Sequence, residues 1–116
     1  MWRMPDDCVF CRIVAGQIPA DVVHETATVL AFRDLQPQAP LHVLVVPREH
    51  SANAAELADT HPDSLAELVR VARTVADAAG HESYRLVFNT GAEAGQSVFH
   101  THLHVLAGRT LTWPPG

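Results

Sequence analysis

The sequence predicts a small α+β domain built on an antiparallel sheet, and three observations carry that prediction. The stretch Pro62–Ala79 has the apolar periodicity of one long amphipathic helix. Several short runs rich in β-branched and apolar residues read as strands. Two of these, Val22–Glu25 and Thr28–Arg33, are separated only by Thr26-Ala27, as in a tight hairpin. Strands in hairpins accompanied by one long helix fit an α+β architecture.

Each element has its own signal. Val9–Ala15 is apolar and ends at Gly16, consistent with a short helix. Gln36-Pro37-Gln38-Ala39-Pro40 is a loop, because its two prolines fix φ and remove donors. His42–Val46 is nearly all apolar between Pro40 and Pro47 and reads as a central strand, and Asn53–Leu57 as a short helix. In the long helix, Leu65, Leu68, Val69, Ala72, Val75, Ala76 and Ala79 form one face, with Pro62 at the first helical position and Gly80 as the C-terminal cap. Tyr84–Asn89 alternates as a half-buried strand, Thr90–Gly95 is a loop, Phe99–Ala107 a last strand and residues 110–116 a tail.

A chain of 116 residues without repeats or linker-like composition fits one domain, 1–116. Apolar residues make up 47 % of it, enough for a core. A net charge of −5 without a basic stripe excludes a general nucleic-acid binder, though a small phosphate ligand needs only a local set of donors. No apolar run approaches the ~20 residues that span a membrane. The start Met1-Trp2-Arg3-Met4-Pro5-Asp6-Asp7 does not look like a secretory leader, so a reducing, cytoplasmic setting is expected.

The chemistry concentrates in His100-Thr101-His102-Leu103-His104. On a strand this alternation puts three imidazoles on one face and the apolar residues on the other. Three readings compete: a solvated polar face, a metal cluster, or a nucleophilic imidazole with neighbours that orient it and handle charge. Gly91, Gly95, Gln96 and Ser97, just ahead of the run, supply flexible backbone and neutral donors suited to phosphate oxygens, and favour the third.

The segment Gly95-Gln96-Ser97-Val98-Phe99-His100-Thr101-His102-Leu103-His104-Val105-Leu106 resembles the signature of the histidine-triad (HIT) nucleotide hydrolases and transferases, closest to the histidine-triad nucleotide-binding branch. Phe32–His42, Arg85–Asn89 and the tail Trp113-Pro114-Pro115-Gly116 resemble the same branch. The resemblance implies a five-stranded antiparallel sheet with one long helix and short helices, and a homodimer joining two sheets into ten strands. It implies hydrolysis of purine nucleoside phosphoramidates (AMP or GMP joined to an amine), with no catalytic metal required. By the resemblance His102 is the nucleophile, His42 hydrogen-bonds within the cluster and helps fix the tautomer of His102, and His104 meets the phosphate, as imidazolium offsetting its charge. Ser97 donates near the leaving group, and Gln96 with the backbone of Gly95–Ser97 binds phosphate. Asp34 accepts from the ribose hydroxyls, Asn89 lies near sugar or phosphate, and Phe10, Ile13, Phe32 and Leu35 enclose the purine. A dinucleoside polyphosphate hydrolase of the same superfamily, or a nucleotide-binding scaffold, is the rival. Ala94, where glycine is usual, and Arg33, where histidine is common, depart from the pattern.

Cys8-Val9-Phe10-Cys11 is a C-x-x-C pair whose spacing suits zinc, a redox pair or two small buried side chains. Bacterial members of the family that carry zinc imply the set Cys8, Cys11, His50 and His100, with one structural Zn2+ per chain. A zinc ligand at His100 conflicts with a regular strand that would turn it toward His102. His100 is therefore expected just before the regular strand or at a bulge.

Overall fold

The computed structural model describes residues 7–116. Short helix α1 (Val9–Val14) precedes the hairpin β1 (Val22–Glu25) and β2 (Val29–Arg33), then β3 (Leu41–Pro47), α2 (Ala54–Thr60), α3 (Pro62–Ala78), β4 (Arg85–Val87) and β5 (Leu103–Ala107). The five strands form one antiparallel sheet in the order β1-β2-β3-β5-β4. Strand β3 is central and buried along its whole length, because both faces of the sheet are covered.

Period-2 alternation sorts the side chains between two layers. Val29, Ala31, Leu41, Val43, Val45, Leu103, Val105 and Ala107 pack with Leu68, Val71, Ala72 and Val75 of α3 and with Leu57 of α2. Leu30, Phe32, Leu44 and Val46 face the other way, against Phe10 and the two cysteines of the α1 region. The register that pairs Leu44 with His104 sets His104 on this second face. Histidine chemistry thus sits opposite the layer covered by the long helix.

The elements start and stop for local reasons. Thr26 Oγ1 accepts from the N–H groups of Thr28 and Val29, so β2 begins at Val29 rather than Thr28. Asn53 caps α2, its side chain accepting from the Glu56 N–H at 3.0 Å. Pro62 opens α3 and Gly80, at φ +82°, follows its C-cap. Gly108, at φ +98°, closes β5 where a Cβ would stand 2.8 Å from Cβ of Pro40, so glycine is required there.

Larger differences from the sequence reading fall in α3, β4 and β5. In α3, Val71 is buried, whereas Val69 is 45 % exposed and Ala79 is exposed; the buried stripe runs through Leu68, Val71, Ala72, Val75 and Ala76. The apolar pattern was wider than the face the sheet accepts. Strand β4 is only three residues long, although Tyr84, Leu86 and Phe88 do pack on the α3 layer. Strand β5 begins at Leu103 rather than Phe99. The Thr101 N–H bonds Ser51 O at 2.8 Å, drawing residues ahead of Leu103 out of the ladder.

Leu68→Ala should destabilise the chain by about 2–5 kcal/mol by opening a cavity in the core, whereas Val69→Ala should change stability by less than about 0.5 kcal/mol. Urea unfolding of the two variants checks the assignment of the buried stripe.

Candidate active site and metal cluster

Two neighbouring histidine clusters occupy the face opposite α3. The first surrounds His100, which is fully buried ahead of β5. Its Nε2–H donates to the carbonyl of Pro47 at 2.9 Å, because a carbonyl can only accept. The lone pair of Nδ1 then faces Cys8 Sγ at 3.4 Å, Cys11 Sγ at 3.4 Å and His50 Nδ1 at 3.2 Å. Cys11 Sγ lies 3.4 Å from His50 Nδ1. All four ligand atoms lie within 4.8 Å of one another.

A tetrahedral zinc with Zn–S about 2.3 Å and Zn–N about 2.0–2.1 Å holds its ligand atoms roughly 3.3–3.8 Å apart, which this set nearly matches. Without a cation, burial and then the hydrogen bond and charge of Cys8 push the Cys11 thiol up to about 12. A metal reverses that preference by binding the thiolates. The donor set, two sulfurs and two imidazoles mostly buried together, suits zinc. The sequence expectation that His100 sits ahead of the regular strand is met, and the conflict it addressed disappears: the His100 ring turns toward the cysteines.

The second cluster holds His42, His102 and His104. His102 Nδ1 lies 2.8 Å from the main-chain carbonyl of His100, so this nitrogen carries the proton and Nε2 keeps its lone pair. His42 contacts His104 rather than His102, Nε2 to Nδ1 at 2.9 Å. The tautomer of His102 is therefore fixed by the His100 carbonyl, not by His42 as the family resemblance implied. The His42 Nδ1 accepts from the main-chain N–H of Gln38 at 3.0 Å. Burial, and next the charges of His102 and His42, lower the pKa of His104 to about 4, against the opposing pull of Asp34. His42 is lowered as well, by burial first. Burial thus favours the neutral form of His104 in the ligand-free protein, whereas the imidazolium that the family resemblance implies concerns the phosphate-bound site.

A pocket of about 400 Å³ opens over this cluster. It collects Phe10, Ile13, Phe32, Asp34, Leu35, Ser97, His102 and His104 of the expected site, with Leu35 at its mouth 96 % exposed. Val9, Ile18 and Leu44 also line it; Ile18 precedes Pro19 in an irregular stretch with no period to betray it. The ring of Phe10 stands edge-on to those of Phe32 and His102, with centroids 5.6 and 5.1 Å apart. A larger depression of about 820 Å³ runs along Gly80–Arg85 and Gly108–Leu111, but no histidine cluster opens into it.

Other expected residues stand behind the pocket. Gln96 is buried: its Oε1 accepts from the Gly91 N–H, and its Nε2 donates to the carbonyls of Ala52 and Val98. The N–H groups of Gly95 and Gln96 bond Ala92 O and Gly91 O. Of the Gly95–Ser97 stretch expected to bind phosphate, only Ser97 lines the pocket, because the rest is spent shaping the loop. Asn89 packs beside Gly95 and does not line the pocket. The positive φ values of this loop fall on Gly91 and Gly95, so alanine at position 94 imposes no strain. Arg33 lines the pocket rim and pairs with Asp21 at 3.3 Å.

The family model for the HIT domain matches residues 15–111. The chain belongs to the HIT family. An uncharacterized HIT-like protein of Synechococcus elongatus is 46 % identical over 97 % of this chain and its own whole length. The 14 kDa zinc-binding protein of Zea mays is 43 % identical over 93 % of this HIT chain and 87 % of its own. Among solved structures, a HIT family hydrolase from Legionella pneumophila superposes with TM-score 0.90 at 47 % identity, covering 95 % of this chain and all of the other. A histidine triad nucleotide-binding protein from Candida albicans gives 0.78 at 30 % identity over 93 % and 83 %. This HIT protein therefore shares the fold of those HIT family hydrolases, and its own Cys/His cluster suits zinc.

The sign of the His104 shift makes a prediction. The unfolded chain binds this proton with a midpoint near 6.5 and the folded chain only near 4. Between those values the unfolded state holds more protons, so stability contributed by neutral His104 is full above pH ~6.5 and is lost as pH falls toward about 4. Nuclear magnetic resonance titration should place the His104 midpoint near 4, and His104→Asn should flatten the fall in urea midpoint across that window. A midpoint near 6.5 would contradict the burial argument.

Proposed function

We propose that this HIT protein hydrolyses purine nucleoside phosphoramidates, AMP or GMP joined to an amine, through a nucleotidyl-His102 intermediate. The observation that carries the reading is the His102 tautomer. Its Nδ1–H is committed to the His100 carbonyl, so the lone pair of this tautomer falls on Nε2 of a residue lining a nucleotide-sized pocket. Imidazole with that polarity can attack phosphorus without a metal.

In the first step the His102 Nε2–P bond forms and the P–N bond breaks. The leaving nitrogen departs as an amine after gaining one proton, with the Ser97 hydroxyl as a donor in the same pocket. In the second step water attacks phosphorus, its released proton replaces the one that Ser97 delivered, the Nε2–P bond breaks, and AMP or GMP is released. His104 gives a hydrogen bond to phosphate oxygens, stabilising charge that grows there. Asp34 already accepts the Gln36 N–H through Oδ1 at 2.8 Å, so the turn that forms it also aims it. Its remaining acceptor capacity suits ribose hydroxyls, and Phe10, Ile13, Phe32 and Leu35 suit a purine. Gln96, Gly95 and Asn89 serve by fixing the loop that presents Ser97.

The Cys8, Cys11, His50 and His100 set would hold one structural Zn2+ per chain, tying α1 to the segment after β3 and to the approach to β5. Support comes from ligand spacing and from the maize relative's description as zinc-binding. We also assign a cytoplasmic homodimer whose paired sheets run to ten strands. Strand β4 is one of the two edge strands of the sheet, and we place the pairing there.

Incubation with an AMP-amine phosphoramidate and, separately, with a diadenosine polyphosphate tests the substrate class. Faster turnover of the phosphoramidate, lowered at least about 10³-fold by His102→Ala, is expected; turnover surviving His102→Ala overturns the nucleophile. Elemental analysis of protein purified without added metal should find about one zinc per chain, with Cys11→Ser reducing it sharply.

A further inference from the structure

We propose that Arg109, acting through the main chain of Gln38, is a positioning residue that fixes the ring tautomers of His42 and His104. The inference rests on the proposed function only for its kinetic consequence. Its structural content stands on hydrogen-bond polarity alone.

His102 and His104 both line the pocket, with ring centroids 5.0 Å apart. Either could in principle offer phosphorus a lone pair. A chain of three hydrogen bonds decides between them. A peptide N–H can only donate, so the Gln38 N–H at 3.0 Å forces the lone pair of His42 onto Nδ1. Neutral His42 then carries its proton on Nε2 and donates to His104 Nδ1 at 2.9 Å. Neutral His104 must in turn carry its proton on Nε2. Its second nitrogen is thereby an N–H donor, suited to a phosphoryl oxygen and unable to attack. The Asp34 carboxylate, 3.5 Å from His42 Nε2, favours the same polarity, since it too accepts.

This fixed polarity also argues against a metal at the Asp34, His42 and His104 group, whose ligand atoms lie close enough to suggest one. Coordination through His42 Nε2 would move the ring proton to Nδ1, against the Gln38 N–H.

The origin of the chain is a loop that other residues hold. Arg109 Nε donates to the Gln38 carbonyl at 3.0 Å, and Gln38 Nε2 donates to Gln36 O at 2.9 Å. Pro40 packs against Gly108, the neighbour of Arg109. Gln38 and Arg109 are thus positioning residues: they act on phosphate through His42 and His104.

Long-range nitrogen–proton correlation spectra of 15N-labelled protein read the tautomers directly. Wild type should show His42 and His104 each as a single Nε2–H form, with a nitrogen–nitrogen coupling across the bond from Gln38 N–H to His42 Nδ1. An Nδ1–H form at either ring overturns the proposal. Arg109→Ala should mix tautomers at both rings and lower kcat on an AMP-amine by about tenfold, part of the ~10²-fold that a lost transition-state donor costs. Arg109→Lys, which can still reach the Gln38 carbonyl, should restore both. Unmixed tautomers in Arg109→Ala, with zinc content equal to wild type, overturn the role of Arg109. If wild type turns over no phosphoramidate, the proposed function fails, while the tautomer spectra still decide this inference.

Discussion

The structure turns on His100, which joins the two clusters through one residue. Its ring donates to Pro47 and directs Nδ1 at two cysteines and His50. Its carbonyl receives the Nδ1–H of His102. A buried imidazole with both nitrogens satisfied is costly to move, since displacement would strand polar groups in a dry interior. The carbonyl is therefore held as firmly as the ring. The orientation of His102 is thus tied to the cluster that the His100 ring joins.

That arrangement explains why β5 is short. Had the ladder continued to Phe99, the period of two would have aligned His100 with His102 and His104. Pulling residues 100–102 out of register lets the His100 ring reach the cysteines of α1, while His104, inside the ladder opposite Leu44, stays over the pocket. Small size makes such a tie useful. A chain of 116 residues has a limited core, and α1 contributes just one short buried stripe, Phe10 and Cys11. Metal ligation would fasten it where apolar area alone is scarce.

Much of this was legible in the sequence, for reasons that separate local from tertiary causes. The long helix, the hairpin and the central strand have their own periods, so they survive inspection one element at a time. The pocket side chains Phe10, Phe32, Asp34, Ser97, His102 and His104 were reachable through the resemblance of their motifs. The partners of polar groups were not. Gln96 looked like a phosphate ligand because an amide is a good donor, yet its amide is consumed by Gly91, Ala52 and Val98, the second of these 44 residues away. His42 looked like a neighbour of His102 but pairs with His104, a choice made by the β3–β5 register. Val71 and Val69 are both apolar and near the helix face, and only packing against the sheet tells them apart. Hydrogen-bond direction across the fold is not a property of any window of sequence.

The claim beneath all of this is that His102, and not His104, becomes covalently bonded to phosphorus. Rapid acid-free quenching of the protein with an AMP-amine phosphoramidate, followed by peptide mapping in a mass spectrometer, locates the adduct. The account predicts a nucleotidyl group on His102 alone. An adduct on His104, or turnover that proceeds with no protein-bound nucleotide at any quench time, would contradict it.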